Sequence, residues 1–205
     1  MRIDRIDGVK VKSDPKAGRY IRTWEREKLK DVLDQDLTAA GRRDTAIIAL
    51  MWYQGPRVAE VANLDLKDYN QHSGEIIIRH GKGDKPRKNQ LHNGAKRAMD
   101  EWLEVRGDWP GPLFVPIDPD GEVIKRDKHL TRWAITKMLE KRQDQAGIDH
   151  LSAHDLRRTA ATDLIEVAGI RKAQKVLGHS DISTTARYDR SGLDEALEAS
   201  AQRVF

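Results

Sequence analysis

The chain has 205 residues, 38% of them apolar and 34% charged, with a formal net charge of +4; that length suits one domain with small appendages and is enough to bury a proper core. There are no cysteines, which excludes disulfides, zinc–cysteine sites and thiol catalysis. No run approaches the ~20 apolar residues of a membrane span, and the opening MRIDRIDGVK has no apolar core of a secretory signal, so no membrane role and a cytoplasmic address are expected.

Residues 1–22 are polar, contain Asp14-Pro15 and Gly18, and read as a lead-in or linker. Thr23 is placed to cap a helix whose apolar positions Leu29, Val32, Leu33 and Leu37 recur at helical spacing. The run DTAIIALMWY is apolar all round and predicts a buried central helix. Gly55-Pro56 stops it, and Pro56 is suited to the first position of the next helix, PRVAEVANL.

The pattern then changes to GEIIIRHGKGDKPRKNQL, a β-branched run, a glycine-rich turn and a basic extended run. This predicts a hairpin with Lys82 near its tip. Asn93 is placed to cap an amphipathic helix carrying Ala98, Trp102 and Leu103, and a Pro/Gly-rich loop follows over 107–121. HLTRWAITKMLEKRQDQAG predicts a helix with Leu130, Trp133, Ala134 and Met138 inward and basic residues outward, ending at Gly147.

Ser152 to Asp155 has the form of a capping box, with aspartate in place of the usual Glu or Gln. The helix it opens turns Leu156, Ala160, Leu164 and Ile165 inward and closes at Gly169. A short helix spans Ile170 to Leu177, a further short segment carries Tyr188, and Ser191 to Asp194 repeats the capping pattern. That last helix carries Leu193, Leu197, Ala201 and Val204 on one face. The expected fold class is mainly α with a small antiparallel β-sheet or hairpin (α+β), divided into a lead-in over 1–22, a main domain over 23–190 and a C-terminal helix over 191–205.

The positive charge is unevenly placed. Ile76 to Arg97 holds seven Lys/Arg against Asp84 alone, and Lys125 to Arg142 holds seven against Asp127 and Glu140, whereas Asp189 to Phe205 leans acidic. Clustered positive charge is the footprint of a polyanion partner, although solvated helix faces give the same clusters.

Four short motifs carry chemistry. In SAHDLRRTAAT, His154 and Arg157 are three apart and share a face off the inward set, near a helix N-terminus that favours an anion. In GPRVAE, Arg57 sits in a first helical turn, and in GKGDK, Lys82 sits on a flexible turn. In LGHSDISTTARY, His179 lies at a helix end with Tyr188 nine residues beyond. Taken singly, each has a plain structural reading: surface Arg, capping-region His, hairpin turn, surface Tyr. Together they fit attack on a phosphodiester. Two arginines and two imidazole donors would stabilise the extra negative charge of a phosphorane, each such donor mattering by roughly 10²–10³ in rate. A tyrosine can act as the nucleophile, provided nearby positive charge or a base helps it lose its proton, and a lysine can protonate the leaving 5′ oxygen. No metal-ligand cluster or cofactor motif accompanies them, and the fixed cations make neither a metal nor a cofactor necessary.

The order GPRVAE, GKGDKPR, HDLRRTAAT, LGHSDISTTARY resembles the catalytic domain of the tyrosine recombinase (phage integrase) family from about Thr23 to Ser191. The resemblance implies site-specific recombination of double-stranded DNA through a 3′-phosphotyrosyl intermediate, on a chain associated with DNA. It implies Arg57 and Arg157 as phosphate ligands, His154 and His179 as further ligands and proton handlers, Lys82 as general acid and Tyr188 as nucleophile. Glu60 matches an acidic position that orients a neighbouring basic group. DNA contacts are expected from the basic stretches, with Arg79, Lys85, Arg87, Lys88, Lys128 and Arg132 as candidates and Trp133 in the core. Pro56 departs from the family pattern, which usually has a leucine there, and residues 1–22 are too short for the N-terminal core-binding domain that completes a clamp around DNA. An isolated fragment working with that missing domain or with a partner recombinase, and a minimal recombinase, are both open. The resemblance further implies self-association as a tetramer on DNA, with Leu193, Leu197 and Val204 packed on a neighbouring protomer or back on their own domain. Two other functions are consistent with the motifs: nicking and closing in the manner of a type IB topoisomerase, and DNA binding without catalysis as a regulator.

Overall fold

A computed structural model describes residues 18–79, 86–118, 120–121 and 127–189. Among them are eight helices: α1 (Thr23–Gln35), α2 (Ala39–Gln54), α3 (Val58–Ala62), α4 (Asn93–Arg106), α5 (Arg132–Ala146), α6 (Ala153–Ala168), α7 (Ile170–Leu177) and α8 (Ile182–Ala186). Strands β1 (Glu75–Ile78) and β2 (Arg87–Gln90) pair antiparallel between α3 and α4, with Ile76 opposite Asn89 and Ile78 opposite Arg87. The expected α+β class is the observed one. The hairpin tip with Lys82 and Lys85, and the C-terminal helix with Leu193, Leu197 and Val204, lie outside the described residues. No helix among the described residues is long and apolar enough to cross a membrane.

The apolar stretch 46–51 makes α2 the axis of the domain, with Ala46, Ile47, Ile48, Leu50 and Met51 all buried. It packs against α1, α4 and α6, while α5 covers α1 and α3. Burying several large aliphatic side chains on one helix, at roughly 1.5–3 kcal/mol each, anchors the elements around it. A smaller satellite core of Ala161, Ala173 and Leu177 joins α6 to α7, and Tyr188 packs against it together with Leu164 and Ile165.

Several local expectations shift. The N-cap of α1 is Arg22 rather than Thr23, its N–H bonded to the Glu25 carboxylate at 2.9 Å. Leu37 is not on the apolar face: α1 stops at Gln35, Asp36 accepts from the Thr38 hydroxyl at 2.6 Å to start the next helix, and Leu37 is left 71% exposed on the turn. The cap of α4 is His92 rather than Asn93. Pro56 is not a first helical residue, because Arg57 is still extended (ψ 148°) and serves as the N-cap of α3. On α5 the inward set is Ile135, Met138, Leu139, Arg142 and Ala146, and Trp133 projects 70% exposed. Arg142, counted with the basic outer face, is fully buried, held by Asp44 at 2.8 and 3.0 Å and by Asp36 at 2.7 Å.

Residues 18–22, read as linker, are docked on α6. Ile21 is fully buried and its N–H bonds the Thr159 hydroxyl at 2.9 Å; the Arg19 N–H bonds Asp155 at 2.6 Å, and the Tyr20 hydroxyl bonds Asp163 at 3.0 Å. The Ser152–Asp155 capping box forms as expected, with Ser152 N–H donating to Asp155 at 2.7 Å and Asp155 N–H to Ser152 Oγ at 3.2 Å.

Candidate active site

Gly55 ends α2 in the left-handed conformation (φ +56°), where a side chain is disfavoured. A Cβ there would stand 2.6 Å from Leu177 Cδ2, so glycine is needed both for the turn and for the close approach of α7. The chain then turns through Pro56 to Arg57. The Arg57 side chain is about half exposed, and Glu60, one turn on, accepts from its backbone N–H at 2.8 Å and from its Nη1 at 3.1 Å.

Arg157 does not lie off the inward face as expected. It is buried and reaches between two chain ends: Nη1 donates to the Gly55 carbonyl, and Nη2 donates to the Leu177 carbonyl at 3.1 Å and to His179 Nε2 at 2.5 Å. Burial, and then the charge of Arg57, pull the Arg157 pKa down to about 10. Arg157 therefore does two things at once: it closes the ends of α2 and α7, and it presents a guanidinium beside His179.

His179 follows the C-cap Gly178 (φ +66°), which turns the chain out of α7. Its ring is buried, with Nδ1 2.9 Å from the Thr185 hydroxyl of α8. A guanidinium only donates, so Nε2 is the acceptor and the ring proton sits on Nδ1, donated to Thr185. Burial, followed by the charges of Arg157, Arg57 and Arg87, drives the His179 pKa down to about 4, so the ring is neutral near pH 7. Asp181 caps α8, accepting from Ser183 N–H at 2.8 Å. Tyr188 comes two residues after that helix, its N–H on the Thr185 carbonyl at 3.0 Å and its ring stacked on the His179 ring at 6.0 Å and 21°.

Arg57, Arg157, His179 and Tyr188 thus converge from the starts of α3 and α6 and the turns on either side of α8. His154 is exposed one turn before Arg157. Four of the six expected residues are brought together; His154 stands on the same helix as Arg157, and Lys82 lies outside the described residues.

The candidate DNA contacts divide. Lys128 and Arg132 are exposed at the head of α5; Lys88 is exposed beside Glu75 at 3.2 Å; Arg79 is half exposed and paired with Asp68 at 2.8 Å. Arg87 departs from expectation. It is buried, with its side chain bidentate on Glu60 at 2.7 and 3.2 Å, because it shares the inward face of the hairpin with Ile76 and Ile78. Thr185, which holds the His179 ring, was not singled out by the sequence motifs; its place between the histidine and the tyrosine is the only signal that marks it.

Residues 19–193 match the phage integrase family model. The tyrosine recombinase XerC of Corynebacterium efficiens is 36% identical over 162 residues, 78% of this chain and 50% of the relative, and that of Haemophilus influenzae is 34% identical over 190 residues, 91% of this chain and 62% of the relative. The chain spans about half to three-fifths of the length of such relatives. Among solved structures, XerA recombinase superposes with a TM-score of 0.71 at 25% identity, covering 91% of this chain and 66% of that one. XerH site-specific recombinase bound to its difH substrate, in a pre-cleavage complex, gives 0.70 at 25% identity over 91% of this chain and 55% of that one. With the motif order, the helical fold and these matches in agreement, the chain belongs to the phage integrase family.

Proposed function

We propose that this chain performs site-specific DNA recombination, cleaving and rejoining strands through a covalent bond to Tyr188. The observation that carries the reading is the meeting of Arg57, Arg157, His179 and Tyr188 from four separate stretches of chain. Cationic groups outnumber acids there, which suits a phosphodiester. The Tyr188 Oη attacks phosphorus and passes its proton to an imidazole of the site, the P–O5′ bond breaks, and the leaving oxygen takes a proton from Lys82. Bond energy is kept in the 3′-phosphotyrosyl link, so a 5′-hydroxyl reseals the strand by the reverse step.

Arg57 and Arg157 neutralise the charge that builds on the non-bridging oxygens, a role for which a guanidinium fork is well shaped. In the free chain His179 offers a lone pair at Nε2, because Arg157 donates to it. Donation of a proton from that atom to phosphate follows only when the ring takes one up, and an arriving anion favours this by raising the ring's pKa. His154, exposed on the first turn of α6, is the remaining phosphate ligand. Lys88, Lys128, Arg132 and Arg79 hold the duplex through its backbone. XerH, the structural relative bound to its difH substrate, supports duplex DNA as the partner. On this reading the working form is a tetramer on double-stranded DNA.

Covalent capture tests the reading. The chain is incubated with a nicked suicide duplex from its own replicon and run on a denaturing gel beside Tyr188→Phe. A retarded protein–DNA band present in the wild type and lost in the variant, with binding equal in both, is expected. Relaxation of supercoiled DNA without site preference would favour a topoisomerase instead, and binding with no band in either protein a regulator.

A further inference from the structure

We infer that Arg87 is a positioning residue that sets the distance between the Arg57 and His179 halves of the site, and is not a contact to DNA. This rests on the proposed recombinase reading. Arg87 opens β2 and faces the interior, with its side chain 8% exposed. One edge of its fork takes both oxygens of Glu60, at 2.7 and 3.2 Å, and its Nε donates to the Val176 carbonyl at 2.9 Å. Asn89, next on the same face of the strand, donates to that same carbonyl at 3.1 Å.

The two ends of this strut are the two sides of the site. Glu60 is the carboxylate that holds Arg57 by its backbone N–H and its Nη1. Val176 lies in the last turn of α7, where carbonyls have no partner within the helix. Gly178 and His179 N–H groups take the Lys175 and Gln174 carbonyls, Arg157 takes that of Leu177, and Arg87 with Asn89 takes that of Val176. The carbonyls from which the chain departs toward Gly178 and His179 are therefore fastened by side chains of α6 and β2. Arg87 joins that fastening to the carboxylate on Arg57. A lysine in its place keeps the charge but supplies one compact ammonium, which cannot grip a carboxylate bidentately and a carbonyl on the far side.

The test compares wild type with Arg87→Lys and Arg87→Gln, using duplex binding over a range of salt and single-turnover covalent capture at saturating protein. A displacement of about 1 Å at reacting groups costs on the order of 10² in rate, so capture by Arg87→Lys is expected to slow by about 10²-fold, with affinity and salt slope unchanged. Partial unfolding would lower the amplitude of capture and leave the rate constant of the active fraction alone, so the rate constant separates positioning from stability. If Arg87→Lys does not fold, Asn89→Ala takes its place, with a several-fold slowing of the same kind. An Arg87→Gln salt slope lower by about one, as for a lost phosphate contact, would overturn the inference, and so would a capture rate within threefold of wild type. A wild-type chain giving no Tyr188-dependent product would instead overturn the recombinase reading itself.

Discussion

The neutral, buried His179 makes stability depend on acidity in a calculable way. The unfolded ring titrates near its ordinary 6.5 and the folded ring near 4. Between these values the unfolded chain binds more protons, so protonation draws the equilibrium toward it and stability falls as pH drops. The contribution is intact above pH 6.5 and is lost progressively down to pH 4, where the gap amounts to about 3 kcal/mol. At pH 5 the loss is already about 2 kcal/mol, a sizeable share of the ~5–15 kcal/mol typical of a domain. Urea unfolding at pH 8 and pH 5 of the wild type and His179→Asn measures it as a difference of differences, so that other titrating groups cancel. The variant is expected to lose about 2 kcal/mol less over that interval. Equal losses in both proteins would mean that the ring is not held neutral by its burial and by the Arg157 guanidinium, and the proton placement argued from Arg157 would fall with it.

Three other outcomes follow from the packing and the charges. Gly55→Ala is expected to destabilise the fold by at least ~1–2 kcal/mol, from the left-handed backbone alone, and to slow covalent capture, since the new methyl displaces Leu177 beside the carbonyl that Arg157 holds; chemical unfolding and capture together check both. Asp44→Ala leaves Arg142 buried without its main partner and is expected to cost about 3–5 kcal/mol, read as a lowered urea midpoint. Lys88→Gln, Lys128→Gln and Arg132→Gln should each lower the slope of log K against log salt by about one, without altering the capture rate at saturation.

Where local chemistry decides structure, the sequence was readable. The capping box at Ser152, the stop at Gly178 and the β-branched run of β1 are each set by a few adjacent residues, and each stands where expected. Charges that find partners far along the chain were not readable. Arg87 and Arg142 have the look of an outer basic face, yet their acids, Glu60 and Asp44, are 27 and 98 residues away. Burial of an arginine is decided by such a partner, and no periodicity reports it. Trp133 fails for the converse reason: its bulk suggests core, but α5 is rotated so that Arg142 rather than Trp133 points to α2. In the site, residue types and order marked Arg57, Arg157, His179 and Tyr188, while the buried reach of Arg157 into two helix ends could be seen only once those ends were placed.

The docked segment before α1 gives the domain a mechanical property. Gly18 to Ile21 is fastened to Asp155, Thr159 and Asp163, along the side of α6 opposite Arg157. A pull or twist reaching Gly18 is thus delivered to a single stiff rod of sixteen residues. The same rod carries the guanidinium that grips Gly55 and His179 at its other side. Load on residues 18–21 is load on the site, and a tether attached there works as a lever on the arginine rather than as a leash.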